Sequence, residues 1–170
     1  GEEIGVIGTF VKEKLIKKQS SNLEIENFQI KLSEMYRQKR LIHEKNDYTF
    51  TDKTLENFFY IGLLKEIFPH AKIINCKRSP LSSIMSILQN NLPGVPWAHN
   101  LKHIFTYFDI YYKIINNFKK KFPNYIFELD LDKLVNNPVT ESQKLMKFCD
   151  LPWDKKCLEF YKRKDLFSKT

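Results

Sequence analysis

The sequence predicts an α/β protein, a parallel sheet flanked by helices on a chain of 170 residues. Three observations point there. Short β-rich runs at Tyr48–Thr51, Ala71–Cys76 and Asn124–Leu129 alternate with stretches of helical periodicity, the order that builds parallel strands. Glycine is scarce at 5 while Phe 14, Tyr 8 and Trp 2 are plentiful, which leans away from a turn-rich all-β fold. Apolar content of 42% with 28% charged residues suits a packed domain and argues against disorder. Three strands are few for so many helices, so the chain reads as one partial domain, 1–170, of a larger fold.

The elements follow in order. Val6–Lys18 spaces Val6, Ile7, Phe10, Val11, Leu15 and Ile16 as an amphipathic helix. Ser20, Ser21 and Asn22 break it. Leu23–Glu44 forms a second helix with Ile25, Phe28, Leu32, Met35 and Tyr36 on one face, ended by Asn46 and Asp47. After the Tyr48–Thr51 strand, Leu55–Phe68 is a strongly apolar helix capped by Thr54 and closed by Pro69. Ala71–Cys76 reads as a buried parallel strand. Ser79 as N-cap with Pro80 at the first helical position starts a helix over Leu81–Asn90. A loop at 92–96 leads to a long aromatic helix, Asn100–Phe122. A second buried strand, Asn124–Leu129, precedes a short helix at Leu131–Val135 and another at Pro138–Cys149. Pro152 and Trp153 turn the chain, and Asp154 caps a last helix through about Tyr161.

A net charge of +8 suggests an anionic partner: nucleic acid, a membrane surface or a phosphate-bearing small molecule. The dense run Lys119–Lys121 reads as a solvated helix end favoured by the dipole. Cys76, Cys149 and Cys157 lack metal-ligand spacing and sit among apolar neighbours, as buried thiols of a reducing compartment do. No apolar run is long enough to span a membrane, and no signal peptide is visible. His99 and His103 stand four apart without the glutamate of a zincin helix, which favours a polar helix face over a metal site. Trp97 and the ladder Phe105, Tyr107, Phe108, Tyr111 and Tyr112 read as core.

Three segments carry chemistry. Lys77-Arg78-Ser79-Pro80 joins a strand's carboxyl end to a helix start, where free N–H groups and a positive dipole attract anions. Arg78 there could fork a phosphate and Ser86 add a hydroxyl; alternatively Ser79 caps the helix and Arg78 is a surface charge. Lys53 in Thr51-Asp52-Lys53-Thr54 either neutralises charge on a transferring group or is an exposed lysine before a capped helix. Gly1-Glu2-Glu3 precedes the first helix, where carboxylates ordinarily serve the dipole.

Together these segments resemble the sulfotransferases. Thr51-Asp52-Lys53-Thr54-Leu55-Glu56-Asn57-Phe58-Phe59-Tyr60-Ile61-Gly62-Leu63-Leu64 is similar to the Thr-Asp-Lys block of bacterial sulfotransferases, which are often fused to tetratricopeptide repeats and akin to protein-tyrosine sulfotransferases. Phe68-Pro69-His70-Ala71-Lys72-Ile73-Ile74, then Cys76-Lys77-Arg78-Ser79-Pro80, continues the likeness. So do Pro96-Trp97-Ala98, Leu134-Val135-Asn136-Asn137-Pro138, Phe148-Cys149 and Leu151-Pro152-Trp153.

The resemblance implies a P-loop-type fold and sulfuryl transfer from PAPS (3′-phosphoadenosine-5′-phosphosulfate) to a hydroxyl or phenol, with PAP as product and no metal. Arg78 and Ser86 match the residues that grip the donor's 3′-phosphate, Lys53 the lysine that steadies the sulfuryl group, and Glu3 the base that takes the acceptor's proton. The implied acceptor is a small molecule, saccharide or tyrosine; neither nucleic acid nor membrane is a partner, and the location is cytoplasmic.

The chain also departs from the family pattern. The Pro-x-Ser-Gly-Thr phosphate loop, with its strand and helix, is missing, Ser79 stands for an aspartate and Leu131 for a tyrosine. The expectation is a piece of a longer protein holding half of the donor cleft. A non-catalytic remnant with this fold, a basic nucleic-acid-binding module and a kinase of P-loop ancestry are the competing readings.

Overall fold

Val6, Ile7 and Phe10 do share the buried face of a helix, α1 (Val6–Ile16), in the computed structural model, which describes residues 5–16, 25–39, 49–90 and 92–162. These residues divide into two units, 1–71 and 72–167, each described by itself.

In the first unit α2 (Ile25–Gln38) buries Leu32 and Tyr36, and Phe28 meets Phe10 edge-on at 5.5 Å. The expected second helix stops at Gln38, with Lys39 in a turn, and the remaining expected extensions of both helices lie outside the described residues. Of the expected strand at Tyr48–Thr51, Tyr48 lies outside them as well, and residues 49–51 form no strand. Their neighbours are side chains instead of a backbone ladder: the Phe50 ring sits 4.8 Å from Tyr36.

The helix expected from Leu55 starts as a 3-10 helix (Leu55–Tyr60) and becomes α3 (Ile61–Ile67). Phe58, Ile61, Leu64 and Ile67 are all buried, so the inward side recurs every third residue, as a 3-10 start favours. Phe68 closes α3 through its N–H to the Leu64 carbonyl at 2.8 Å, and Pro69 follows.

The second unit is α/β. β1 (Ile73–Lys77) and β2 (Ile126–Asp130) pair in parallel, Ile73 opposite Ile126 and Lys77 opposite Asp130. Two strands, not three, make the sheet of the described residues. Between them run α4 (Pro80–Gln89), a 3-10 turn (Pro96–His99) and α5 (Leu101–Lys121). Asn100 caps α5 by accepting from the His103 N–H at 3.2 Å. After β2 come α6 (Leu131–Asn136) and α7 (Pro138–Phe148), each begun at a residue with a physical reason to start a helix: the Asp130 carboxylate accepts from the Lys133 N–H, and Pro138 takes a first-turn position. Asp154 caps as expected, yet it opens a 3-10 turn (Lys155–Leu158) rather than a continuous helix.

Strand alternation places α5 and α7 on opposite sides. Tyr111 of α5 donates to Asn75 at 2.6 Å, and Lys119 of α5 pairs with Glu128 at 2.9 Å. On the other face Phe127 packs on Phe148 of α7 at 5.1 Å. The strands are not buried as expected: Ile74 is exposed, and with two strands each has one open edge.

The cysteines also depart from expectation. Cys76 and Cys157 are exposed, Cys149 half-buried, and all three are free thiols. The aromatic ladder is mixed: Trp97 stacks on Tyr107 at 3.8 Å, while Phe105 and Tyr112 are exposed.

Candidate functional site

In the second unit the parallel register brings the carboxyl ends of β1 and β2 to one edge, where α4 and α6 both begin. Ligands of open parallel sheets bind at this kind of edge. Ser79 occupies the N-cap of α4, but its side chain makes no capping bond. Pro80 has no N–H and Ser83 bonds back to the Ser79 carbonyl at 3.0 Å. The Leu81 and Ser82 N–H groups are therefore the helix donors without an intrahelical acceptor.

Arg78 lies along this start. Its Nη2 donates to the Ser82 carbonyl at 2.8 Å and its Nε to Ser83 Oγ at 3.2 Å. Ser83 Oγ in turn donates to the Ser79 carbonyl at 3.2 Å. Ser79, Ser82, Ser83 and Ser86 recur at helical spacing, so hydroxyls occupy one side of α4 and Leu81, Met85 and Leu88 the other. Arg78 and Ser86 thus belong to one surface, though Arg78 binds Ser82 and Ser83 and not Ser86. Ser86 Oγ accepts weakly from Asn90 Nδ2 at 3.4 Å. A guanidinium, a serine face and two unspent amides fit an anionic oxygen cluster such as a phosphate.

Glu128 holds the charge balance behind this edge. It pairs with Lys119 at 2.9 Å and Lys77 at 3.2 Å. The Lys119 hydrogen bond, and next that of Lys77, hold its carboxyl below the usual range despite partial burial. Lys119 is therefore an ion-pair partner and not merely a solvated helix end.

In the first unit Lys53 is exposed and projects from irregular backbone instead of the expected strand end. Thr54 occupies the N-cap of the following 3-10 helix without capping it. Its hydroxyl donates to Asp52 Oδ1 at 3.1 Å and accepts from the Gly5 N–H at 3.3 Å. The other Asp52 oxygen accepts from the Tyr36 hydroxyl at 2.7 Å. Burial first, then this hydrogen bond, pushes the Tyr36 phenol far above its ordinary value. Glu3 lies outside the described residues.

Sequence reasoning placed Tyr36 in the core and passed over Asp52. The available signal was the phenol itself, since a buried tyrosine hydroxyl needs a partner. Ser83 was likewise passed over, although it falls on the same helix face as Ser79 and Ser86. His99 sits in the 3-10 turn and donates to the Leu92 carbonyl at 3.0 Å, while His103 lies on α5. Among the described residues no group of three or more His, Cys, Asp or Glu side chains is placed to hold a metal. No described helix is long and apolar enough to cross a membrane.

The chain matches the sulfotransferase family over residues 11–155, a span that takes in the Lys53 segment, the β1–α4 turn and β2. The chain belongs to the sulfotransferase family. This sulfotransferase-family chain is also similar to an uncharacterized protein of Aquifex aeolicus (strain VF5), 36% identical over 117 residues. That likeness covers 66% of this chain and 15% of the relative, so the chain spans a small part of that protein's length.

Proposed function

We propose that this chain is part of a sulfotransferase that moves a sulfuryl group from PAPS to a hydroxyl or phenol acceptor, the whole of 1–170 forming one partial domain. The observation that carries the proposal is the β1–α4 turn: an arginine laid along a serine-faced helix start at the carboxyl edge of a parallel sheet. In this reading Arg78 and Ser86 hold the donor's 3′-phosphate. Two of the three Arg78 guanidinium nitrogens are already fixed by the helix, which sets its plane before an anion arrives and lowers the ordering cost of binding.

The bound donor supplies the sulfuryl group, transferred in line to the acceptor oxygen as PAP departs. Lys53 places its ammonium against charge developing on that group, as cations do in phosphoryl transfer. Glu3 accepts the acceptor's proton, a role worth about 10²–10⁴-fold in rate. The acceptor is a hydroxyl-bearing small molecule, saccharide or tyrosine. A cytoplasmic location, without nucleic acid or membrane as partner, belongs to the same proposal.

Calorimetry with PAP tests it. Arg78→Ala removes a charge-assisted contact and should weaken PAP binding about 10- to 100-fold. Unchanged affinity would remove Arg78 from the site.

A further inference from the structure

Lys53 stands in a stretch, residues 49–54, that has neither helix nor strand to hold it. What holds it is a chain of side-chain hydrogen bonds. Tyr36, 2% exposed on α2, donates its hydroxyl proton to one Asp52 oxygen; Thr54 donates to the other and receives the Gly5 N–H. Both residues flanking Lys53 are therefore fixed by their side chains, one to α2 and one to the residue that opens α1. The donor and acceptor roles match throughout: the Asp52 carboxylate accepts twice, and the threonine hydroxyl gives one bond and takes one.

A second fact separates this from ordinary packing. Thr54 stands where it could cap the 3-10 helix but spends its hydroxyl on Asp52 and Gly5. An apolar residue at position 36 would fill the core without requiring a carboxylate beside it, and taking that carboxylate from water is a cost. Backbone precision next to a transferring group is a physical reason to bear it, since small displacements of a charge-stabilising side chain are expensive in rate.

We propose that Tyr36 is a positioning residue for Lys53, acting through Asp52 and Thr54. The inference rests on the role given to Lys53 above.

The test uses the full chain, with its lysines reductively dimethylated by a carbon-13 label and the Lys53 signal assigned from Lys53→Arg. Tyr36→Phe and Thr54→Val should both move or broaden the Lys53 methyl resonance, and Thr54→Ser, which keeps the hydroxyl, should restore it. In turnover with PAPS the first two variants should lower kcat by ~10-fold. The KM for PAPS should change by less than ~2-fold, a split that general loss of structure would not produce. Thr54→Ser should recover most of the rate.

An unmoved Lys53 resonance in folded Tyr36→Phe and Thr54→Val overturns the proposal, as does a rate loss that Thr54→Ser fails to recover. If Tyr36→Phe does not fold, the Thr54 pair carries the test. If the unsubstituted chain, a partial domain, transfers no sulfuryl group, the Lys53 resonance alone decides the positioning, and PAP binding decides the functional reading.

Discussion

Up to Ala71 the described residues bury Val6, Ile7, Phe10, Leu32, Tyr36, Phe58, Ile61, Leu64 and Ile67; from Lys72 on they bury Ala98, Ile104, Ile115 and Ile126. Among the described residues, the unit with more secondary structure has the thinner core. Helices of the first unit turn residues three or four apart, such as Ile61, Leu64 and Ile67, to one buried side. A parallel sheet is different, because its strands become buried only when elements cover both faces and both edges. Here β1 leaves Ile74 exposed, and α4 buries none of its residues despite an apolar side at Leu81, Met85 and Leu88. The catalytic candidate Lys53 thus belongs to a unit ordered by packing, and the anion-binding candidates Arg78 and Ser86 to one ordered by helix starts and strand pairing.

Truncating one leucine in each unit gives the largest expected contrast. Leu32→Ala, at a site 0% exposed, should cost about 2–5 kcal/mol in denaturant unfolding. Leu88→Ala, at a site 51% exposed, should change stability by no more than about 0.5 kcal/mol. An equal loss at both sites would mean that the outer side of α4 is packed in solution, and the contrast would fall.

Both units should lose stability at alkaline pH, and the second unit at acid pH as well. Tyr36 has its folded value raised above 10.0, first by burial and then by Asp52. The folded state thus holds that proton more tightly, and the contribution is complete below the unfolded value and lost as pH rises past it. Burial also raises Tyr111 and Tyr125 of the second unit, so the alkaline loss is shared, and Tyr36→Phe isolates one part of it. At neutral pH the same variant should cost about 1.5–3 kcal/mol, the usual worth of a bond to a charged group.

Glu128 runs the other way. Lys119 and Lys77 hold it below 4.5, so its contribution is present above that value and disappears as pH falls through the folded one. Glu128→Gln should flatten the acid limb of a stability–pH profile and, because Glu128 also helps to raise Tyr111, change the alkaline limb much less. An acid limb identical to that of the parent chain would show that the two lysines do not stabilise the sheet through Glu128.

Elements with local start signals were legible in the sequence nearly to the residue. Pro80 begins α4 and Pro138 begins α7 as expected, and α5 starts one residue after the expected Asn100, because a helix start is decided within one turn. The same locality exposed Arg78, which sits between a strand and a helix that both announce themselves. Residues 49–51 were misread because Thr-Phe-Thr has strand composition, yet its partners are the Tyr36 ring and not another backbone. The helix start at Leu55 is uncapped because the Thr54 hydroxyl is spent on Asp52 and Gly5, which no local pattern reports. Tyr36 and Asp52 are 16 residues apart, and only folding brings them within 2.7 Å. Cysteine burial failed for the mirror reason: apolar neighbours in sequence are not neighbours in space.

The smallest expected effect lies at the end of α7, where the second unit's reliance on helix termini can be measured directly. Asp150 adopts φ 56, the left-handed region, and its backbone completes a Schellman closure: Leu151 N–H to the Met146 carbonyl at 3.0 Å and Asp150 N–H to the Lys147 carbonyl at 3.2 Å. Its carboxylate also meets Lys72 at 2.7 Å, with both side chains largely in water. If the closure matters and the ion pair does not, Asp150→Asn should stay within about 0.5 kcal/mol of the parent, since asparagine tolerates this backbone and exposed pairs contribute little. Asp150→Ala, which keeps the Cβ but loses the polar group that tolerates this conformation, should cost about 1 kcal/mol. Thermal unfolding of the two variants separates the terms. Should Asp150→Asn lose as much as Asp150→Ala, the Lys72 pair would be the stronger contributor, and ion pairing would join helix ends as what orders this unit.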